Sequence, residues 1–268
     1  MSNYLHRFGL EYNPFIKNNS ANIKLELDSS SQMIFRLNHL LESRGIGVFT
    51  GEPGLGKTTT LRFWANTLNK NVYKVIYIPH STLNICDFYK QLCDELKLDI
   101  HHSKRINFKN IQHEINRLFI EKKITPIIII DEANYLSSNI INDLKIIFNF
   151  DMDSKEPFIL ILTGQNELRD ILNRRSNEAF KQRITTQYTL QPLEVDESIR
   201  YINEKLKISG LNTKLFTEQA LNFISKASNG IPRIINRLCE KSLLLLENQK
   251  LSIIDDTVAM NAFDEINI

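Results

Sequence analysis

Between Gly45 and about Leu190, short β-branched or apolar runs alternate with longer stretches in which apolar residues recur every three or four positions. Short apolar runs bounded by turn residues mark strands, whereas a 3.6-residue period marks a helix with one buried face. The pattern predicts strands over residues 47–50, 73–78, 127–130, 158–162 and, less sharply patterned, 186–190. The third and fourth are unbroken apolar runs, as expected of central strands covered by helices on both faces. Phe108, Ile111, Ile115 and Leu118 define one amphipathic helix, and Ile140, Ile141, Leu144 and Ile147 another. Strands alternating with helices build βαβ units, so the expected fold class is α/β, a parallel sheet with helices on both faces. Beyond Gln191-Pro192 the strand pattern stops, and helical periods follow over about 195–207, 215–227, 232–247 and 256–264. Two domains are therefore expected, 1–192 built on the sheet and 193–268 all-helical. With no internal repeat or low-complexity linker, they should pack closely.

Composition narrows the class without naming a function. At 268 residues, 42% hydrophobic and 24% charged, with 9 Gly and 7 Pro, the chain can bury a sizeable core and is neither disordered nor collagen-like. Cys86, Cys93 and Cys239 are odd in number and follow no zinc or CxxC spacing, which suits a reducing cytosol. No run approaches the roughly 18 apolar residues of a membrane span, and the opening residues lack a signal-peptide pattern. A cytoplasmic protein with no membrane partner is expected. The net charge of +2 leaves any nucleic-acid surface to local patches.

The chemistry is concentrated at strand ends. Gly51-Glu52-Pro53-Gly54-Leu55-Gly56-Lys57-Thr58, followed by Thr59, matches GxxxxGK[ST] between a strand and a helix. Glycines there let backbone N–H groups curl around phosphate, and the following helix adds its N-terminal dipole. Lys57 would neutralise the outer phosphates of ATP, and the Thr58 hydroxyl would ligate Mg²⁺. The isoleucine run 127–130 ends in Asp131-Glu132, a Walker B pattern in which Asp131 holds the metal and Glu132 polarises water. The run 158–162 exits through Thr163-Gly164-Gln165, where Gln165, with Thr163 as the alternative, could sense the γ-phosphate. Arg174, Arg175, Lys181 and Arg183 crowd the segment before the fifth strand, where an arginine could act on a neighbouring subunit's nucleotide; Arg183 is preferred to Arg175. Gly230-Ile231-Pro232-Arg233 puts Arg233 in the first turn of a helix, an unfavourable place for a cation that a phosphate partner would offset.

Together these features, in this order, resemble an AAA+ ATPase, with Walker A, Walker B, sensor 1, arginine finger and a sensor 2 arginine in a helical lid. The opening Phe8-Gly9-Leu10 with Asn13-Pro14-Phe15 is similar to the start of the ExeA-like, general secretion pathway A type, ATPases. That resemblance implies that Pro14 and Phe15 flank the adenine. Secretion-type members continue into a membrane span and a peptidoglycan-binding module, and the compact form more closely resembles the transposition helpers TnsC, TniB and IstB. It implies partners: double-stranded DNA, a DDE-type transposase, and further copies of the chain in a ring or helical filament. Lys104 and Arg105, in a basic stretch that begins at His101-His102-Ser103 and includes Lys109, are expected as a loop that contacts DNA phosphates. Ser81 and Thr82 form a second candidate DNA contact. The expected function is thus an ATP-dependent regulator of transposition. Two alternatives remain, a nucleotide-switched assembly protein that does not touch DNA and a helicase-loader-like ATPase.

Overall fold

Five parallel strands carry the apolar runs: β1 (Gly45–Thr50), β2 (Tyr73–Ile78), β3 (Thr125–Ile130), β4 (Ile159–Gly164) and β5 (Ile184–Thr189). They are seen in a computed structural model that describes residues 4–16, 27–79, 83–147, 149–150, 156–211 and 213–266. The order across the sheet is β2-β3-β4-β1-β5. Every residue of β1, β3 and β4 is buried, which explains why the isoleucine runs need no polar alternation. Edge strand β2 alternates instead, with Ile76 and Ile78 buried while Val75 and Tyr77 remain partly open. In register, Ile130 lies opposite Leu162, and Thr50 opposite Gly164, so β1, β3 and β4 end side by side. Ligands of open α/β sheets bind outside such carboxyl ends, where the strand order reverses.

Helices Ile85–Leu96, Lys104–Asn116 and Ser138–Ile147 cover one face. Their Phe88, Leu92, Ile111, Ile115, Ile140 and Leu144 form one apolar cluster with Ile76, Ile128, Ile130 and Leu160 of the sheet. Helices Asp28–Ser43 and Lys57–Thr67 are joined by the Trp64 indole N–H, which donates to Asn38 Oδ1 at 2.9 Å. Ile85–Leu96 is capped by Asn84, whose side chain accepts from the Asp87 N–H.

The second unit contains helices Val195–Ile208, Glu218–Ala227, Pro232–Asn248 and Asp256–Ile266, close to the expected spans. Glu218–Ala227 starts three residues later than its periodicity indicates. Phe216 forms an isolated parallel bridge with Ile254, and Thr217 takes the N-cap, its side chain accepting from the Ala220 N–H. Gly230 has φ +68°, and a methyl group there would fall on the Leu193 carbonyl, so both conformation and close approach require glycine.

The N-terminal segment departs from the expected grouping of 1–192. Its described residues through Ser31, together with Gly54–Gly56, cluster with the helices, whereas Gln32–Pro53 and Lys57–Leu190 form the sheet unit. The cause is apolar burial. Leu10 and Phe15 lie in one cluster with Ile202, Leu206, Leu238 and Leu243, and the Glu11 N–H donates to the Ser209 carbonyl at 2.9 Å. Lys205 anchors the same segment. Only 2% exposed, it donates to the Pro14 carbonyl at 3.0 Å and to Asn236 Oδ1 at 3.1 Å, and its ammonium lies 5.0 and 5.7 Å from the Tyr201 and Phe15 ring centres.

Burial lowers the Lys205 ammonium to about 8, against an ordinary value near 10.5. Between these values the unfolded chain keeps a proton that the native chain has lost, so stability rises with pH across this window. Lys205→Met abolishes that gain. Compared with wild type, the variant should lose on the order of 3 kcal/mol of relative stability between pH 8 and 10.5, read from urea melts at each pH.

Candidate active site

The glycine-rich loop leaves β1 at Thr50, and the helix Lys57–Thr67 begins six residues after Gly51. Gly51, Gly54 and Gly56 take φ of 151°, 96° and 97°, values that residues with a Cβ rarely adopt. At Gly54 packing adds a second constraint, because a methyl group would stand 2.9 Å from Arg233 Cβ; at Gly56 it would meet nothing within 4 Å. Lys57 is 5% exposed, and its ammonium donates to the Gly51 carbonyl at 2.7 Å and the Glu52 carbonyl at 3.0 Å. Leu55 is buried, whereas Glu52, Pro53, Thr58 and Thr59 are exposed.

Asp131 is the point on which the sheet edge converges. It is 4% exposed, and its Oδ2 accepts from Thr58 Oγ1 and from the Tyr77 hydroxyl, each at 2.8 Å. Its Oδ1 accepts from Thr163 Oγ1 at 2.6 Å and from the Glu132 N–H at 3.0 Å. Burial, reinforced by the bond to Asp131, pushes the Tyr77 phenol well above its ordinary range. Glu132 follows in the left-handed region, φ 50° and ψ 40°, a conformation that costs a non-glycine residue on the order of 1–3 kcal/mol. Such strain concentrates at functional sites, and the bond from its N–H to Asp131 helps hold it.

Of the two candidates after the fourth strand, the structure brings the Thr163 side chain to the acid. Strand β4 runs on to Gly164, so Thr163 is still within it, one residue past the pair of Leu162 with Ile130 that ends β3. Gln165 lies past the strand end, where its N–H donates to Asn134 Oδ1 at 3.0 Å. A methyl at Gly164 would stand 2.6 Å from that same Oδ1, so glycine lets Asn134 close over the strand exit.

Arg183 is half-buried and donates from Nη1 to the Lys145 carbonyl at 2.9 Å, tying the turn before β5 to the helix Ser138–Ile147. Arg174 and Arg175 are exposed, the latter opening the short turn Arg175–Asn177. Arg233 lies in the first turn of Pro232–Asn248, with its backbone N–H directed to the Gly54 carbonyl at 3.3 Å. Pro14 and Phe15 are buried in the helical unit, where the expectation put them against a base.

The expected basic loop is corrected by the structure. Lys104 and Arg105 are the first residues of the helix Lys104–Asn116, after the N-cap Ser103. Lys104 is ion-paired with Asp143, which also accepts from the Tyr89 hydroxyl at 2.9 Å, so its charge is already taken up within the fold. Arg105 and Lys109 are exposed one helical turn apart. Ser81 and Thr82 lie outside the described residues.

The donor set suits a nucleoside triphosphate with a hard divalent cation. A buried ammonium and a glycine-bent loop at a helix N-terminus match phosphate, while a hydroxyl and a carboxylate 2.8 Å apart are oxygen donors of the kind Mg²⁺ takes. Sheet order and loop together define a P-loop nucleotide-binding fold. An AAA domain family model matches residues 39–172, half of the chain, and the protein belongs to that family. It is 29% identical over 245 residues to General secretion pathway protein A of Aeromonas hydrophila, covering 90% of this chain and 44% of the relative, so it spans less than half of that protein. Among solved structures, the ORC2 protein of Aeropyrum pernix in ADPNP-ADP complexes has a TM-score of 0.68 at 16% identity, covering 96% of this chain and 72% of the other. Drosophila ORC bound to DNA has a TM-score of 0.66 at 14% identity, covering 89% and 61%. Among the described residues, no helix is long and apolar enough to cross a membrane.

Thr163 and Gln165 should separate in urea unfolding. Thr163→Val removes a donor from a buried carboxylate and should cost about 1–3 kcal/mol. Gln165→Ala leaves the backbone bond to Asn134 in place and should change stability by less than about 0.5 kcal/mol.

Proposed function

We propose that this protein is a Mg²⁺-dependent ATPase that assembles on double-stranded DNA as a homo-oligomer, a ring or helical filament, and recruits or stimulates a DDE-type transposase. The observation that carries the ATPase reading is the convergence of Thr58, Tyr77 and Thr163 on Asp131, with Glu132 next in the chain. Residues Gly51 to Thr59 hold the phosphates, with Lys57 as their principal cation. Thr58 and Asp131 hold Mg²⁺, which when bound neutralises phosphate charge. Glu132 orients water and accepts its proton, and Thr163 fixes the acid beside it. Arg233 and an arginine of the 174–183 segment supply further positive charge, the latter to a neighbouring copy; exposed Arg175 needs no rearrangement, whereas Arg183 must leave the Lys145 carbonyl.

The DNA reading is supported by the similarity in fold to the DNA-bound ORC structure and by exposed Arg105 and Lys109 on one helix face. The N-terminal Phe8-Gly9-Leu10 and Asn13-Pro14-Phe15 support the transposition-helper branch by resemblance. A second reading, a nucleotide-switched assembly ATPase of a secretion system, is favoured by the similarity to General secretion pathway protein A.

Electron microscopy of Glu132→Gln with ATP and Mg²⁺, with and without a random-sequence duplex, separates the two. Regular assemblies that need both ATP and DNA, and that Lys57→Ala abolishes, are the expected result. Assemblies indifferent to DNA favour the secretion-type reading. In DNA binding, Arg105→Ala with Lys109→Ala should flatten the log–log salt dependence by about 0.9 per charge removed.

A further inference from the structure

Tyr77 belongs to none of the motifs that define the site, yet its hydroxyl reaches the same oxygen of Asp131 as Thr58. It stands next to last in β2, opposite Ile129 of β3, one residue pair before the strands end. Tyr77 is 39% exposed, so it is not a core side chain of the sheet. Its partner is a carboxylate that is itself 4% exposed.

An ionised carboxylate offers about four acceptor sites. Among the described residues, Asp131 has four donors, Thr58 and Tyr77 on Oδ2, Thr163 and the Glu132 N–H on Oδ1. A Thr58 hydroxyl that gave a lone pair to Mg²⁺ would keep its proton and would go on donating to Asp131 Oδ2, so Asp131 would act on the metal through Thr58. On Oδ2 the Tyr77 hydroxyl is the second donor, and it fixes the carboxylate edge that faces Thr58. Thr163 and the Glu132 N–H do the same for Oδ1, so both oxygens are oriented from outside the metal site.

We infer that Tyr77 is a positioning residue for Mg²⁺, acting through Asp131 by holding the Oδ2 edge of the carboxylate that orients Thr58. The inference rests on the reading of Asp131 as the acid of the metal site. Outer-shell hydrogen bonds of this kind typically carry 10- to 100-fold in metal affinity when removed. Tyr77→Phe keeps the ring and deletes only the hydroxyl, so the sheet edge is preserved.

The test is binding of a fluorescent ADP analogue to the full chain, first in EDTA and then across a Mg²⁺ titration. Tyr77→Phe should bind the analogue in EDTA like wild type, yet need at least about 10-fold more Mg²⁺ for half of the metal-dependent change. In an Asp131→Asn background the same substitution should have little further effect, which a merely structural tyrosine would not show. An unchanged Mg²⁺ midpoint, an equal loss of binding in EDTA, or an undiminished effect in the Asp131→Asn background overturns the role. Wild-type binding that ignores Mg²⁺ overturns it together with the reading of Asp131, and so identifies a different failure.

Discussion

A buried carboxylate is costly unless hydrogen bonds replace the water it has lost, and in this protein the replacement comes from three directions. Asp131 draws hydroxyls from the helix after β1, from β2 and from β4, and a backbone N–H from its own successor. The parallel register makes this possible, since β3 is flanked by β2 and β4 and all end at nearly the same level. Had β4 stopped two residues earlier, Thr163 could not face the acid. Sheet register and acid are thus mutually dependent: the strands place the donors, and the donors make the buried charge tolerable.

The same interaction accounts for the strained backbone beside it. Glu132 occupies the left-handed region, a conformation uncommon for a residue with a Cβ. Its N–H bond to Asp131 fixes the turn, and the chain then enters the short helical turn Ala133–Tyr135, from which Asn134 caps the exit of β4. A chain of short polar contacts therefore links the ends of β3 and β4. At Gly164 the link leaves no room for a Cβ, which would stand 2.6 Å from Asn134 Oδ1.

The architecture was largely legible from periodicity, because β1, β3 and β4 are buried throughout and so read as runs without polar alternation, β3 and β4 as isoleucine and leucine runs. The loop and the Asp131-Glu132 pair were legible because their spacing along the chain is itself the chemistry. What escaped depends on contacts across the sheet. Tyr77 reads as an ordinary aromatic of an edge strand, and only its pairing with β3 brings it to Asp131; a hydroxyl-bearing side chain at the end of the strand beside the acidic one was the available clue. Lys104 and Arg105 read as a loop because His101, His102 and Ser103 break the apolar period, whereas Ser103 in fact stands just before a helix whose first cation pairs with Asp143, about forty residues away. The N-terminal segment was grouped with the sheet by proximity in sequence, while apolar burial assigns it to the helices.

The tie between Pro14 and Lys205 crosses 191 residues of sequence. During synthesis at roughly 5 to 20 residues per second, the opening segment therefore waits on the order of 10 to 40 s for the helix that will bury it. The sheet unit is complete sooner, since its residues end at Leu190, before the helices that bury Leu10 and Phe15 are made. Birth order and folding order are consequently inverted at the N-terminus: the first residues made are among the last to settle. Until then Leu10 and Phe15 remain as uncovered apolar groups on the nascent chain, the kind of surface that chaperones engage.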